Sequence, residues 1–315
     1  MTIAQPIIFD GHNDVLSKIF NEGGLASAAS FLKGREGAID LEKAEVGGFG
    51  GGFFAVYVPS QFDLEFSYQE MEKASYSLPL PEPIEWSEAV AVVTSQVTIL
   101  REIERLGGLT ICRSVSDICS AFEDGKIAAI FHIEGAEAID PDLHMLEVLH
   151  SAGLRSIGPV WSRPTIFGEG VPFSFPSTPN TGSGLTELGI ALVKRCNDLK
   201  IMIDLSHLNE AGFWDVARHS NAPLVATHSN AHSITQHSRN LTDKQLRAIA
   251  ESDGMVGLNF ATAFLREDGK MLADVPLSQM LKHLDYLLEI IGEDRVGLGS
   301  CLLYTSPSPR DTPIS

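Results

Sequence analysis

A chain of 315 residues with 44% hydrophobic and 20% charged side chains, and no apolar run of membrane-spanning length, reads as globular rather than membrane-embedded. Its 41 acidic against 23 basic side chains leave a net charge of −18, which sets most of the surface against a phosphate backbone and excludes nucleic acid as an expected partner. The opening MTIAQPIIFDGHND lacks a basic segment followed by an apolar stretch and a small-residue cleavage site, so the expected location is cytoplasmic. Cys112, Cys119, Cys196 and Cys301 show no CxxC spacing and are expected to be buried free thiols, not a disulfide framework or a thiolate zinc site.

Short apolar runs alternate with longer segments of helical spacing, the pattern of repeated βα units. The predicted strands are Ile7–Phe9, Phe53–Val58, Ile127–Ile133, Leu154–Val160, Ile201–Leu205, Leu224–Ala226, Met255–Leu258 and Val296–Leu298. Eight such units need ~250 residues plus insertions, so the expected fold is α/β, a (β/α)8 TIM-type barrel. A predicted helix from about Trp86 to Leu106 implies an insertion of one or two helices between the second and third strands. Trp161–Gly184, rich in Gly, Pro, Ser, Thr and Phe, is too irregular for an element and too long for an ordinary connection, which favours a functional loop after the fourth strand. Thr242-Asp-Lys-Gln245 is a capping box that starts a helix at Asp243. Leu277, Met280, Leu281, Leu284, Leu287, Leu288 and Ile291 share one helical face, with Gly292 as a left-handed stop.

The chemistry-bearing residues fall at predicted strand ends, where barrels of this kind keep their active sites. Asp10-Gly-His12-Asn-Asp14 closes the first strand, and alternation by two puts His12 and Asp14 on one face. Taken alone, an HxD pair is explained as well by a capped turn or a core histidine. Phe131-His132-Ile133-Glu134-Gly135 delivers a carboxylate where an unpaired negative charge is costly, so Glu134 needs a cation or a barrel arginine. His132 lies deeper on the same face and reads as a core or supporting histidine. His207 ends the fifth strand and His228 the sixth. His12, Asp14, Glu134, His207 and His228 suffice to hold two zinc ions, with one carboxylate bridging them and a shared water ionised near neutral pH. His144, His150, His219, His237 and His283 are assigned no role.

These residues resemble the renal (membrane) dipeptidases, zinc metallopeptidases, and the resemblance runs from Phe9 to about Ser300. It rests on DGHND in strand one, the third-strand Glu134-Gly135, the run Leu185-Thr-Glu-Leu-Gly189 through Asn197 to Ile203-Asp-Leu-Ser-His207, Thr227-His-Ser-Asn230, and Ser238-Arg-Asn240. The resemblance implies a first zinc on His12 and Asp14, a second on His207 and His228, and Glu134 bridging the two. It implies Arg239 as the anchor for the substrate's C-terminal carboxylate, a task suited to a planar fork of donors. The implied reaction is hydrolysis of small dipeptides, some with a C-terminal D-residue, by a metal-bridging hydroxide, and a homodimer is the implied assembly.

Two departures stand out. Trp161 occupies about the place of a histidine that contacts the tetrahedral intermediate in mammalian members, and Arg163 nearby is the candidate to supply a donor instead. After the eighth strand, Arg295–Ser300, the resemblance calls for an aspartate acting as general acid and base, and here the residue is Cys301. Residues 1–300 thus read as a single metal-dependent hydrolase barrel lacking its last helix, and 301–315 as a tail that looks foreign or disordered. Two rivals stay open: an amidohydrolase-like barrel acting on lactones, cyclic amides or β-lactams, and a catalytically impaired metal-binding fragment.

Overall fold

In the computed structural model, which describes residues 6–60 and 64–301, the eight apolar runs become the parallel strands of a barrel. These are β1 (Ile8–Asn13), β2 (Phe49–Tyr57), β3 (Ala128–Glu134), β4 (Leu154–Gly158), β5 (Met202–Ile203), β6 (Val225–Ala226), β7 (Met255–Asn259) and β8 (Val296–Gly299). Each pairs with its neighbours in chain order except β5 with β6, and β8 pairs with β1. The β5–β6 seam is the narrowest, held by a bridge between Asp204 and Val225 in which the Leu205 N–H donates to the Val225 carbonyl at 2.9 Å. The chain is therefore an α/β protein of the TIM-barrel class. The segment 302–315, read in sequence as a foreign tail, lies outside the described residues. No helix among the described residues is long and apolar enough to cross a membrane.

Alternation along β3 shows how the barrel is filled. Ala129, Phe131 and Ile133 join the main core under the helices, whereas Ala128 and Ile130 join a separate cluster with Phe9, Phe53 and Phe122. The second set shares its face with His132 and Glu134, so the interior runs from apolar at one end to ionisable at the other. In β1 the strict alternation breaks: its register against β2 shifts between Asp10 and Asn13. Asp10 accepts from the Ser300 N–H and hydroxyl at 2.7 Å each, beside an outer groove with Ile8 and Leu298, while His12 packs 4.0 Å from the His228 ring. Burial lifts Asp10 to a pKa of about 6, against the pull of the Ser300 hydrogen bonds.

Local signals place the helices well. Thr242 and Gln245 form the expected capping box and the helix runs Asp243–Glu251. The helix Leu277–Ile291 ends at Gly292, whose φ of 83° is positive but whose ψ of 159° sends the chain outward instead of into a left-handed turn. Among the described residues, three helices lie between β2 and β3, Leu64–Met71, Trp86–Arg105 and Val115–Glu123, where an insertion of one or two was expected. The last of them supplies Phe122 to the inner cluster. All four cysteines are free thiols, but Cys119 is exposed, since it lies on the outer side of that same short helix.

Three strand glycines are required by one carbonyl. The Thr227 carbonyl oxygen lies where a Cβ on Gly11, Gly257 or Gly299 would sit, at 2.2, 1.9 and 1.9 Å. It follows that β1, β7 and β8 close around the end of β6 only as bare backbone. Gly297, in the same strand as Gly299, would meet nothing closer than the flexible Met255 Cε at 3.7 Å. Gly257→Ala is expected to cost more than about 3 kcal/mol, because backbone has to move, and Gly297→Ala less than about 1 kcal/mol. Urea unfolding midpoints of the two variants check this contrast.

Candidate metal centre

Four strand ends and the turn that follows β1 bring five side chains to one point. His12 comes from β1 and Asp14 from the turn into the helix Val15–Asn21, where its carboxylate makes no capping bond. Glu134 ends β3, and His207 and His228 follow β5 and β6. The Glu134 Oε1 lies 3.0 Å from His207 Nε2, 3.3 Å from His228 Nε2 and 3.6 Å from His12 Nε2, and His12 Nε2 lies 3.5 Å from Asp14 Oδ1. Two overlapping groups of donors spaced for an ion result, His12–Asp14–Glu134 and Glu134–His207–His228. All five residues are buried.

The hydrogen bonds around the imidazoles decide which nitrogens are bare. The Thr227 hydroxyl donates to Asp204 at 2.6 Å, so it accepts from His228 Nδ1 at 2.8 Å and leaves His228 Nε2 without a proton. Arg239 Nη2 donates to His207 Nε2 at 3.4 Å, and His207 Nδ1 meets the Ser162 hydroxyl at 2.9 Å. Two bare nitrogens 3.1 Å apart and a carboxylate oxygen then face one another. Both oxygens of Asp14 and both nitrogens of His12 are buried without a hydrogen-bond partner. This is a donor set that a cation completes, and its mixture of imidazole and carboxylate suits zinc.

Electrostatics point the same way. Burial pushes Glu134 up to a pKa of about 8, with the His12 charge opposing and the Asp14 charge adding to the shift. Burial alone lowers His12, but Glu134 and Asp14 outweigh it and lift the imidazole to about 9. Burial drives His207 and His228 well below the usual histidine range, helped by Arg239 and His12. His132, pushed down to about 4 by burial, hydrogen-bonds Ser156 at 2.8 Å and stays an interior support, as expected.

Arg239 is buried and borders the cavity above this cluster. Its Nη1 donates to the Ser206 carbonyl, its Nη2 to the His228 carbonyl at 3.3 Å, and its Nε has no partner. Burial lowers its pKa to about 10. Trp161 lines the same cavity, 5.8 Å from the His207 ring. Arg163, expected as a substrate donor, is fully buried and does not border the cavity. Its Nε and Nη2 donate to Glu137 at 3.0 and 2.6 Å, Nη2 also to the Val58 carbonyl, and Nη1 to Ser60, so it pins the loop beneath Trp161. The Cys301 backbone N–H donates to the His12 carbonyl at 3.0 Å, and its thiol joins the cavity wall within ligand reach of His12 and His228.

Sequence reasoning passed over the supporting residues. Asp204 accepts from both the N–H and hydroxyl of Ser206 and of Thr227, and so fixes the two histidine-bearing loops together. His237, given no role, accepts the Arg239 N–H at 3.0 Å through Nδ1 and shapes the turn that presents the guanidinium. The only available signal was proximity to the ligands in sequence, which does not distinguish support from accident.

Buried imidazoles and carboxylates gathered at the mouth of a (β/α)8 barrel define a metal-dependent hydrolase. The sequence matches the membrane dipeptidase family (peptidase family M19) over residues 2–306, and the chain belongs to that family of metallo-dipeptidases. A metallo peptidase from Rhodobacter sphaeroides, solved with a phosphinate mimic of the dipeptide L-Ala-D-Ala, is 51% identical, with a TM-score of 0.92 over 95% of this chain and 86% of that one. Dipeptidase AC, a metallo peptidase of family M19, is 50% identical, with a TM-score of 0.92 over 96% and 86%. An uncharacterized protein encoded in the pqqA 5' region of Klebsiella pneumoniae is 49% identical over 215 residues, 68% of this chain and 79% of that protein.

Because Glu134 and His12 both hold protons more tightly than usual, a cation must displace them. Zinc binding at pH 7 is expected to release roughly one proton per chain or more, and affinity should rise as pH climbs towards 9 and then level off. Calorimetric titration in buffers of different ionisation enthalpy measures the released protons.

Proposed function

We propose that this chain hydrolyses the amide bond of small dipeptides at a two-zinc centre. His12 and Asp14 would hold one ion, His207 and His228 the other, and Glu134 would bridge them. The observation that carries the reading is the convergence of three imidazole nitrogens within 3.6 Å of the single Glu134 oxygen. When bound, zinc would lower the pKa of a water to make a hydroxide nucleophile and polarise the scissile carbonyl. The chain's own residues do the rest. Arg239, with its unpartnered Nε, binds the free carboxylate of the substrate. Trp161 and Tyr57, 5.2 Å apart between ring centres, wall off water on the other side. The cavity of about 140 Å³ admits a small peptide and not a folded chain. The solved Rhodobacter relative binds a dipeptide mimic, which agrees with this substrate class. The same reading treats residues 1–300 as one hydrolase barrel and the protein as a cytoplasmic homodimer.

Proton delivery to the leaving amine is the weak step. Burial raises the Cys301 thiol well above its ordinary pKa, and Asp14 and Glu134 raise it further, so it stays neutral and is a poor proton relay. This favours a second reading, in which the chain binds zinc yet turns over slowly.

Metal analysis is expected to find two zinc ions per chain, falling to one or none in Glu134→Ala, together with cleavage of L,L- or L,D-dipeptides in preference to lactones, cyclic amides and β-lactams. Fewer than two ions in the unaltered chain removes the bridged centre, and no cleavage of any dipeptide by a repaired chain rejects the activity. That repair, Cys301→Asp, is expected to raise kcat by about 100- to 10,000-fold. An unaltered kcat after the repair would mean that position 301 does not carry the proton.

A further inference from the structure

Building on the dipeptide reading above, we propose that the substrate residue bearing the free carboxylate must carry an apolar side chain. Arg239 fixes where that residue sits, and its guanidinium carbon lies 5.4 Å above the Phe264 ring. A carboxylate bound there brings its own α-carbon and side chain against Phe264, which continues into Phe173 at 5.9 Å. Met71, Leu78 and Met271 extend this apolar face. These side chains belong to an apolar cluster separate from the barrel core, drawn from the β2–β3 insertion and the loops after β4 and β7. The polar side chains elsewhere on the lining, Ser17, Asn21, Tyr57, Ser60, Ser67 and Tyr68, carry no charge at neutral pH.

The wall is held by backbone, so it cannot readily exchange an apolar face for a polar one. Tyr76–Ser77 pairs antiparallel with Ser174–Phe175, the Leu78 N–H donates to the Phe173 carbonyl at 2.9 Å, and the Met271 N–H donates to the Met71 carbonyl at 2.9 Å. The Tyr76 hydroxyl ties the third segment in at the Gly269 carbonyl, 2.6 Å away. Among the described residues, the acidic and basic side chains bordering the cavity are Asp14, Glu134 and Arg239, apart from its histidine. Each of the three is committed to the metal cluster or to the carboxylate. An ionised side chain on the C-terminal residue would therefore be desolvated against this wall with no partner of opposite charge.

The test uses the zinc-loaded chain and phosphinate dipeptide mimics that differ only in the C-terminal residue, Leu, Met, Asp or Lys, with binding read by calorimetry. Leu and Met are expected to bind about 100-fold more tightly than Asp or Lys, and the matching dipeptides to show the difference mainly in KM. In Met271→Lys the disadvantage of Asp against Leu should shrink by about tenfold, while Lys gains nothing. If that variant does not fold, the ratios in the unaltered chain decide. Equal binding of all four mimics overturns the apolar requirement and leaves the dipeptide reading standing. Failure of every mimic to bind overturns the dipeptide reading itself, and this proposal with it.

Discussion

The Oε1 oxygen of Glu134 is the point on which the mouth of the barrel depends. Three imidazole nitrogens approach it within 3.0 to 3.6 Å, and two of those nitrogens are bare. A buried carboxylate beside unprotonated imidazoles has no stable arrangement of its own: its charge lacks a partner and the lone pairs repel. Protonation answers this in part, which is why Glu134 and His12 are both lifted, to about 8 and about 9. A divalent cation answers it fully. The cluster is thus a place where the fold tolerates an unfavourable arrangement that a ligand relieves.

Holding that arrangement open falls to residues one layer out. Asp204 bolts β5 to β6 where the sheet has its thinnest seam, and through the Thr227 hydroxyl it also sets the tautomer of His228. Thr227 does more than orient. Its carbonyl occupies the space that β1, β7 and β8 leave by having glycine at positions 11, 257 and 299. One residue therefore couples closure of the barrel to the direction in which a histidine nitrogen points. Damage to the sheet near β6 should reach the metal cluster without touching a ligand.

Much of this was legible in the sequence. The eight strands, the Thr242 capping box and the loop 161–184 all follow from periodicity and turn chemistry, because those signals are local. The convergence of His12, Asp14, Glu134, His207 and His228 was legible too, since residues at the same end of parallel strands must share one rim. The misses have physical reasons. Alternation predicts Asp14 on the His12 face of the strand, but Asp14 lies past the strand at the start of the next helix, and the register shift in β1 that turns Asp10 out to Ser300 leaves no mark in the sequence. The pairing of Arg163 with Glu137 was not legible, because the two lie 26 residues apart in different loops and no local pattern encodes their contact. The helix Val115–Glu123 between β2 and β3 carries a capping box at Ser114 and Asp117 like that at Thr242 and Gln245, a local signal that the sequence reading passed over.

The two halves of the cavity have different origins, and the difference constrains how such a site changes. The ionic half sits on strand ends whose backbone is locked into the barrel, where a displacement of one residue would open the seam or the glycine-lined axis. The apolar half is contributed by three segments outside the barrel, which are fastened to one another by the Tyr76–Ser77 ladder and to the loop bearing Arg239 by the Ser174–Ser238 and Asn240–Phe264 hydrogen bonds. Met71 and Met271 belong to the wall alone, whereas Phe173 also packs on Trp161, which packs in turn on His207. Arg239 joins the halves, touching His207 on one side and Phe264 on the other. A change there would move the chemistry and the recognition together, so variation in substrate choice belongs to the loops while the anchor stays fixed.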